Sequence, residues 1–137
     1  MFIQKLLSQQ WPVGRGLIHR CLSTSLIRRD TFTIQDEDDF KEKVLSNPDP
    51  VIVDFSATWC GPCKMLTPRL DAAIAATEGK VHLAVVDIDE LGDLAMDHGV
   101  QAVPTVVAMK GGKAVDKFVG LLDEDKLAAF VDKAQMS

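Results

Sequence analysis

Apolar and polar positions alternate along this chain in two periods, and the switches between them predict an α/β layout. Thr31 to Ile34 reads as a short first strand. Asp36 then stands as a helix N-cap, with Glu37, Asp38 and Asp39 in the first turn and Phe40, Val44 and Leu45 as the buried stripe. Asn47-Pro48-Asp49-Pro50 stops that helix. Val51 to Phe55 is almost continuously apolar and rich in β-branched residues, the pattern of a central strand covered on both faces. From Cys60 a helical period carries Leu66, Leu70, Ala73, Ile74 and Thr77 to a stop at Gly79, with Pro68 inside it as a kink.

The second half repeats the alternation. Val81 to Asp87 is another apolar strand, and a helix with Leu91, Leu94, Ala95 and His98 inward ends at Gly99. Thr105 to Met109 and Ala114 to Val119 flank Lys110-Gly111-Gly112-Lys113, a hairpin signal that makes these two strands antiparallel. Asp123, Glu124 and Asp125 open a last helix whose Leu127, Phe130, Val131 and Ala134 face inward. The expected order is βαβαβαββα: a mixed five-stranded sheet flanked by four helices.

Charge divides the chain into a leader and a body. The 137 residues carry a net −5, with 47% hydrophobic and 26% charged residues, in the range of a single globular domain. Residues 1–29 hold Lys5, Arg15, Arg20, Arg28 and Arg29 and no acid, whereas the ten basic and twenty acidic residues from Asp30 onward leave that part at −10. A basic, acid-free, Ser- and Leu-rich arm has the composition of a transit peptide. Phe2, Ile3, Leu6 and Leu7 fall on one side of a helix before Pro12, Gly14 and Gly16 interrupt it. A secretory signal fits less well, because polar residues break the apolar centre of about 7 to 15 residues it needs. Arg20-Cys21-Leu22-Ser23 resembles a mitochondrial processing site, so cleavage is expected after Leu22 and the folded domain over 30–137. No run of about 18 apolar residues offers a membrane span, and the acidic body disfavours nucleic acid.

The chemistry is concentrated in Trp59-Cys60-Gly61-Pro62-Cys63-Lys64, set between an apolar strand and a helix. With Cys60 at the helix start, Cys63 follows one turn later on the same face, near enough for a small disulfide ring to close and open. A helix N-terminus favours a thiolate, so Cys60 is the expected nucleophile. Cys63, one turn inside and more buried, is the expected resolving thiol that attacks the mixed disulfide. Gly61 allows another chain to come close, and Pro62 suits the helix start without wasting an N–H. Half of a zinc site is the rival reading of this spacing, but it lacks ligands: the only other cysteine is Cys21 in the leader, and His82 and His98 stand alone.

The hexapeptide, the strand Val53-Asp54-Phe55, the turn Val103-Pro104-Thr105 and Gly120 together resemble thioredoxins over residues 30–137, and the leader points to their mitochondrial form. The resemblance implies a protein-disulfide reductase of the mitochondrial matrix, acting as a monomer with no bound cofactor. Its implied partners are thioredoxin reductase, a flavoprotein that draws on NADPH, and disulfide proteins such as peroxiredoxins and methionine sulfoxide reductases. Asp54, otherwise readable as a strand residue facing water, becomes the buried acid that exchanges a proton with Cys63. Many bacterial relatives place a lysine near this acid, where Val85 stands here, so Asp54 is expected to titrate higher than theirs. Pro104, which on base rates alone is trans, is implied to be cis. The backbone of Val103 would pair with an extended substrate, Trp59 would be a contact surface rather than core, and Gly120 would complete the groove rim. An oxidase or isomerase would more often carry histidine between the cysteines, and a binding subunit that ignores the cysteines remains the alternative of another class.

Overall fold

A computed structural model describes residues 30–137; the expected transit peptide, its cleavage point and Cys21 lie outside the described residues. Five strands and four helical segments follow in the expected order. They are β1 (Thr31–Thr33), α1 (Glu37–Phe40, continued as a π-helical turn over Lys41–Leu45), β2 (Val51–Ser56), α2 (Gly61–Ala75), β3 (His82–Asp87), α3 (Gly92–Asp97), β4 (Thr105–Lys110), β5 (Lys113–Val119) and α4 (Glu124–Met136). The sheet order is β1-β3-β2-β4-β5; β1 and β2 run parallel to β3, while β4 is antiparallel to both β2 and β5.

The central position of β2 explains its apolar run, because both of its faces are covered. Val51, Val53 and Phe55 pack with Phe40 and Val44 of α1 and Leu94 and Ala95 of α3. Ile52 packs on the opposite face with Leu66, Leu70 and Ile74 of α2 and Leu127, Phe130 and Val131 of α4. Each fully buried Val, Ile, Leu or Phe among them contributes about 1.5–3 kcal/mol, so the strand that carries the chain to Cys60 is held from both sides.

Local capping follows the sequence closely. Asp36 accepts from the Asp39 N–H at 2.8 Å, and Asp123 accepts from the Lys126 N–H at 2.9 Å, satisfying donors that a helix start leaves open. Gly111 and Gly112 take φ of 61° and 78°, the left-handed pair that a tight hairpin requires.

Two expectations need correction. The first helix is α-helical for only four residues and then widens, with the Ser46 N–H reaching the Lys41 carbonyl at 2.9 Å. Leu45 is accordingly only half-buried at the rim, while Phe40 and Val44 fill the core. The second helix ends at Ala75 rather than running to Gly79. There Thr77, expected on its inward face, caps instead: its hydroxyl donates to the Ile74 carbonyl at 2.7 Å and accepts from the Val81 N–H at 3.2 Å. Glu78 and Gly79 then both adopt left-handed backbone and turn the chain into β3. Pro68 does lie inside α2, removing the N–H that would have reached the Lys64 carbonyl.

Candidate active site

The strand-to-helix junction places the cysteines. Cys60 is the N-cap of α2, in extended conformation, and Pro62 occupies its first turn. Cys60 and Cys63 are joined in a disulfide with Cα atoms 5.3 Å apart. The Cys63 N–H also donates to Cys60 Sγ at 3.2 Å. That bond marks the helix-terminal field that stabilises a thiolate on Cys60 once the disulfide opens. Cys63 was expected to be the more buried, yet in this oxidised form the two are almost equally covered, at 4% and 3% exposed for Cys60 and Cys63. Gly61 and Pro62 are exposed, and a Cβ added at Gly61 would meet nothing, so this turn stands open to an incoming chain.

The loop before β4 closes over the pair. Val103 packs against Ala57, Cys60 and Cys63, the Val103–Pro104 peptide is cis, and Pro104 is buried. The Gly120 N–H donates to the Pro104 carbonyl at 2.9 Å, and Gly120 itself has φ of 96°, a conformation that favours glycine. The end of β5 is thereby tied to the same loop.

Trp59 is 66% exposed, which excludes a core role. Its indole N–H donates to Asp89 at 3.0 Å, holding the ring over a shallow apolar groove of about 260 Å³ lined with Ile88, Met96, Val100, Ala102 and Val103. Asp89 was missed in the sequence: thirty residues separate it from Trp59, and no local pattern links them.

Asp54 is fully buried in β2, which rules out the reading that it faces water. Its register partners are Val85 on β3 and Val106 on β4, so the position next to the acid is indeed apolar. Thr67, on the turn of α2 after Cys63, donates its hydroxyl to Asp54 Oδ2 at 2.7 Å, while Oδ1 has no hydrogen-bond partner among the described residues. Burial pushes the Asp54 carboxyl up to about 6, opposed by the Thr67 hydrogen bond. Thr67 was the second residue missed, although a polar side chain four positions after Cys63 on an otherwise apolar helix face was a usable signal. Cys63 and Thr67 line a cleft of about 340 Å³ with Ser56, Thr58, Lys64 and Val85.

Among the described residues, no group of three His, Cys, Asp or Glu side chains is placed to hold a metal, and no helix is long and apolar enough to cross a membrane. The arrangement is an openable disulfide at a helix N-terminus, beside an exposed aromatic groove and above a buried carboxyl. Its chemistry is thiol–disulfide exchange.

Comparisons with known proteins agree. A family model described as Thioredoxin matches residues 31–133. The chain is 54% identical over 114 residues to a Bos taurus protein named "Thioredoxin, mitochondrial", covering 83% of this chain and 69% of that one. It is 52% identical, with the same coverage, to the Mus musculus protein of that name. Among solved structures it is similar to a mutant thioredoxin from Halobacterium salinarum, with a TM-score of 0.71 at 34% identity over 78% of this chain and 92% of that one. It also matches Malassezia sympodialis thioredoxin, with a TM-score of 0.69 at 33% identity over 93% of this chain and 98% of that one.

Proposed function

We propose, on the premise that this chain belongs to the thioredoxin family, that its Cys60 is the attacking sulfur and Cys63 the resolving sulfur of a mitochondrial protein-disulfide reductase. The observation that carries the division of roles is the place of Cys60 as N-cap of α2, with its sulfur accepting the Cys63 N–H. In the reduced protein the Cys60 thiolate attacks a substrate disulfide, forming a mixed disulfide and releasing one substrate thiolate. Cys63 then loses its proton to Asp54 and attacks the Cys60 sulfur. The Cys60–Cys63 bond forms, the bond to substrate breaks, and two electrons have passed to the substrate.

The groove supplies recognition. An extended substrate segment pairs with the Val103 backbone, Gly61 and Pro62 leave it room, and Trp59, Pro104 and Gly120 form its walls. The protein holds no cofactor of its own and is recharged by thioredoxin reductase; we assign the electrons to NADPH through that flavoprotein. Peroxiredoxins and methionine sulfoxide reductases are the proposed disulfide partners, and the protein acts as a monomer. Residues 1–29 are proposed as a transit peptide, removed after Leu22, so that N-terminal sequencing of the mature protein reads Ser23.

Insulin reduction by NADPH and the reductase tests the assignment. Cys60→Ser is expected to lower turnover to the uncatalysed background, and Cys63→Ser to accumulate substrate as a mixed disulfide on Cys60. A Cys60→Ser protein as active as the wild type overturns it, as does substrate trapped on Cys63 of the Cys60→Ser protein while the Cys63→Ser protein traps none.

A further inference from the structure

We propose that Thr67 is a positioning residue for the exchange: its hydroxyl holds one carboxylate oxygen of Asp54 and leaves the other, Oδ1, as the oxygen that trades a proton with Cys63. The inference rests on the role given to Asp54 above and deepens it. Three observations carry it. Thr67 follows Cys63 by four residues on α2, so the two side chains share a helix face and line the same cleft. The Thr67 hydroxyl is 2.7 Å from Oδ2. Asp54 is fully buried, with no partner on Oδ1 among the described residues.

No other described group around the acid competes for this part. β3 and β4 offer Val85 and Val106 beside it, and α4 presents Leu127, Phe130, Val131 and Ala134 to this core. The titratable and charged groups that share the cleft are Cys63 and Lys64 from α2 and Asp87 from β3; Thr33, beside β1's end, is neutral. With no ion pair to Asp54 among the described residues, a neutral hydroxyl orients the carboxylate. Donation by Thr67 is stronger to the ionised acid than to the neutral one, so the bond both fixes the group's orientation and opposes the effect of burial. In the step itself the Cys63 S–H proton moves to Oδ1, the resulting thiolate attacks Cys60, and the substrate thiolate leaves with the electron pair of the broken bond. Asp54 afterwards releases its proton.

The test uses the full chain and three substitutions: Thr67→Val and Thr67→Ala, which remove the donor with and without filling the space, and Thr67→Ser, which keeps it. The readouts are the Asp54 carboxyl titration by ¹³C NMR and the pH profile of single-turnover insulin reduction. Both donor-deleting variants are expected to raise the Asp54 midpoint by about one pH unit, the worth of a hydrogen bond to a charged group, and to move the profile alkaline by the same amount. Thr67→Ser is expected to match the wild type. Absence of a shift in Thr67→Val and Thr67→Ala, or a shift of equal size in Thr67→Ser, overturns the proposal. Asp54→Asn separates the two layers: if it keeps the wild-type pH profile, the role of Asp54 falls, whereas if it loses the profile while Thr67→Val does not move it, only the role of Thr67 falls.

Discussion

Phe55 and Asp54 are neighbours on β2, both without solvent exposure, and they point into opposite cores. Phe55 enters the layer between the sheet and α1 and α3, packed on apolar side chains and beside buried Thr105, whose hydroxyl is satisfied by the Ala102 carbonyl, and its rim is closed by His98, whose ring lies 5.7 Å from that of Phe55 and 5.1 Å from that of Phe40. Asp54 enters the layer under α2 and α4, equally apolar except for Thr67. One face contributes stability and no chemistry. On the other, a group has been retained that opposes folding whenever it is ionised, and it lies under the cleft that Cys63 lines.

The size of that opposition follows from the carboxyl's displacement. Raised from 3.8 to about 6, Asp54 is protonated in the folded state over a range where the unfolded chain has already lost its proton. Its contribution to stability therefore falls as pH rises through this window, and above it the full penalty of about 3 kcal/mol applies. The opposite sign would hold for a carboxylate stabilised by a cation, as a lysine at position 85 would do.

The two faces should thus answer mutation differently. Phe55→Ala is expected to have the larger effect, lowering the unfolding free energy of the oxidised protein by about 3–5 kcal/mol through lost burial and a cavity, equally at pH 4 and pH 7. Asp54→Asn is expected to raise it by about 2 kcal/mol at pH 7, with the gain shrinking toward zero at pH 4, where the wild-type acid is already neutral. Guanidinium denaturation at the two pH values checks both. A gain for Asp54→Asn that is independent of pH, or a loss, breaks the contrast between the faces.

Much of this was legible in the sequence because it is local or periodic. The apolar run of β2, the Asp36 and Asp123 caps and the Gly111-Gly112 hairpin all act within a few residues. The errors have physical causes. A helical count assigns every apolar residue to a 3.6-residue spiral, so it passes over the widening after Phe40 and extends α2 through Thr77, whose hydroxyl in fact bonds the chain that turns away. The cysteine pair was readable from spacing and setting. The contacts that shape its surroundings were not: Thr67 reaches across thirteen residues to Asp54 and Asp89 across thirty to Trp59, meeting only when strands and helices stack. The isomer of Pro104 was available only through family resemblance, since an isolated X–Pro bond favours trans.

The titration of the Asp54 side-chain carboxyl by ¹³C NMR tests the central claim most directly, because the function proposed for this acid and its cost to stability both depend on its displaced ionisation. The account predicts a midpoint near pH 6 in the oxidised protein. A midpoint near 4, the ordinary value of an aspartate in water, would contradict it.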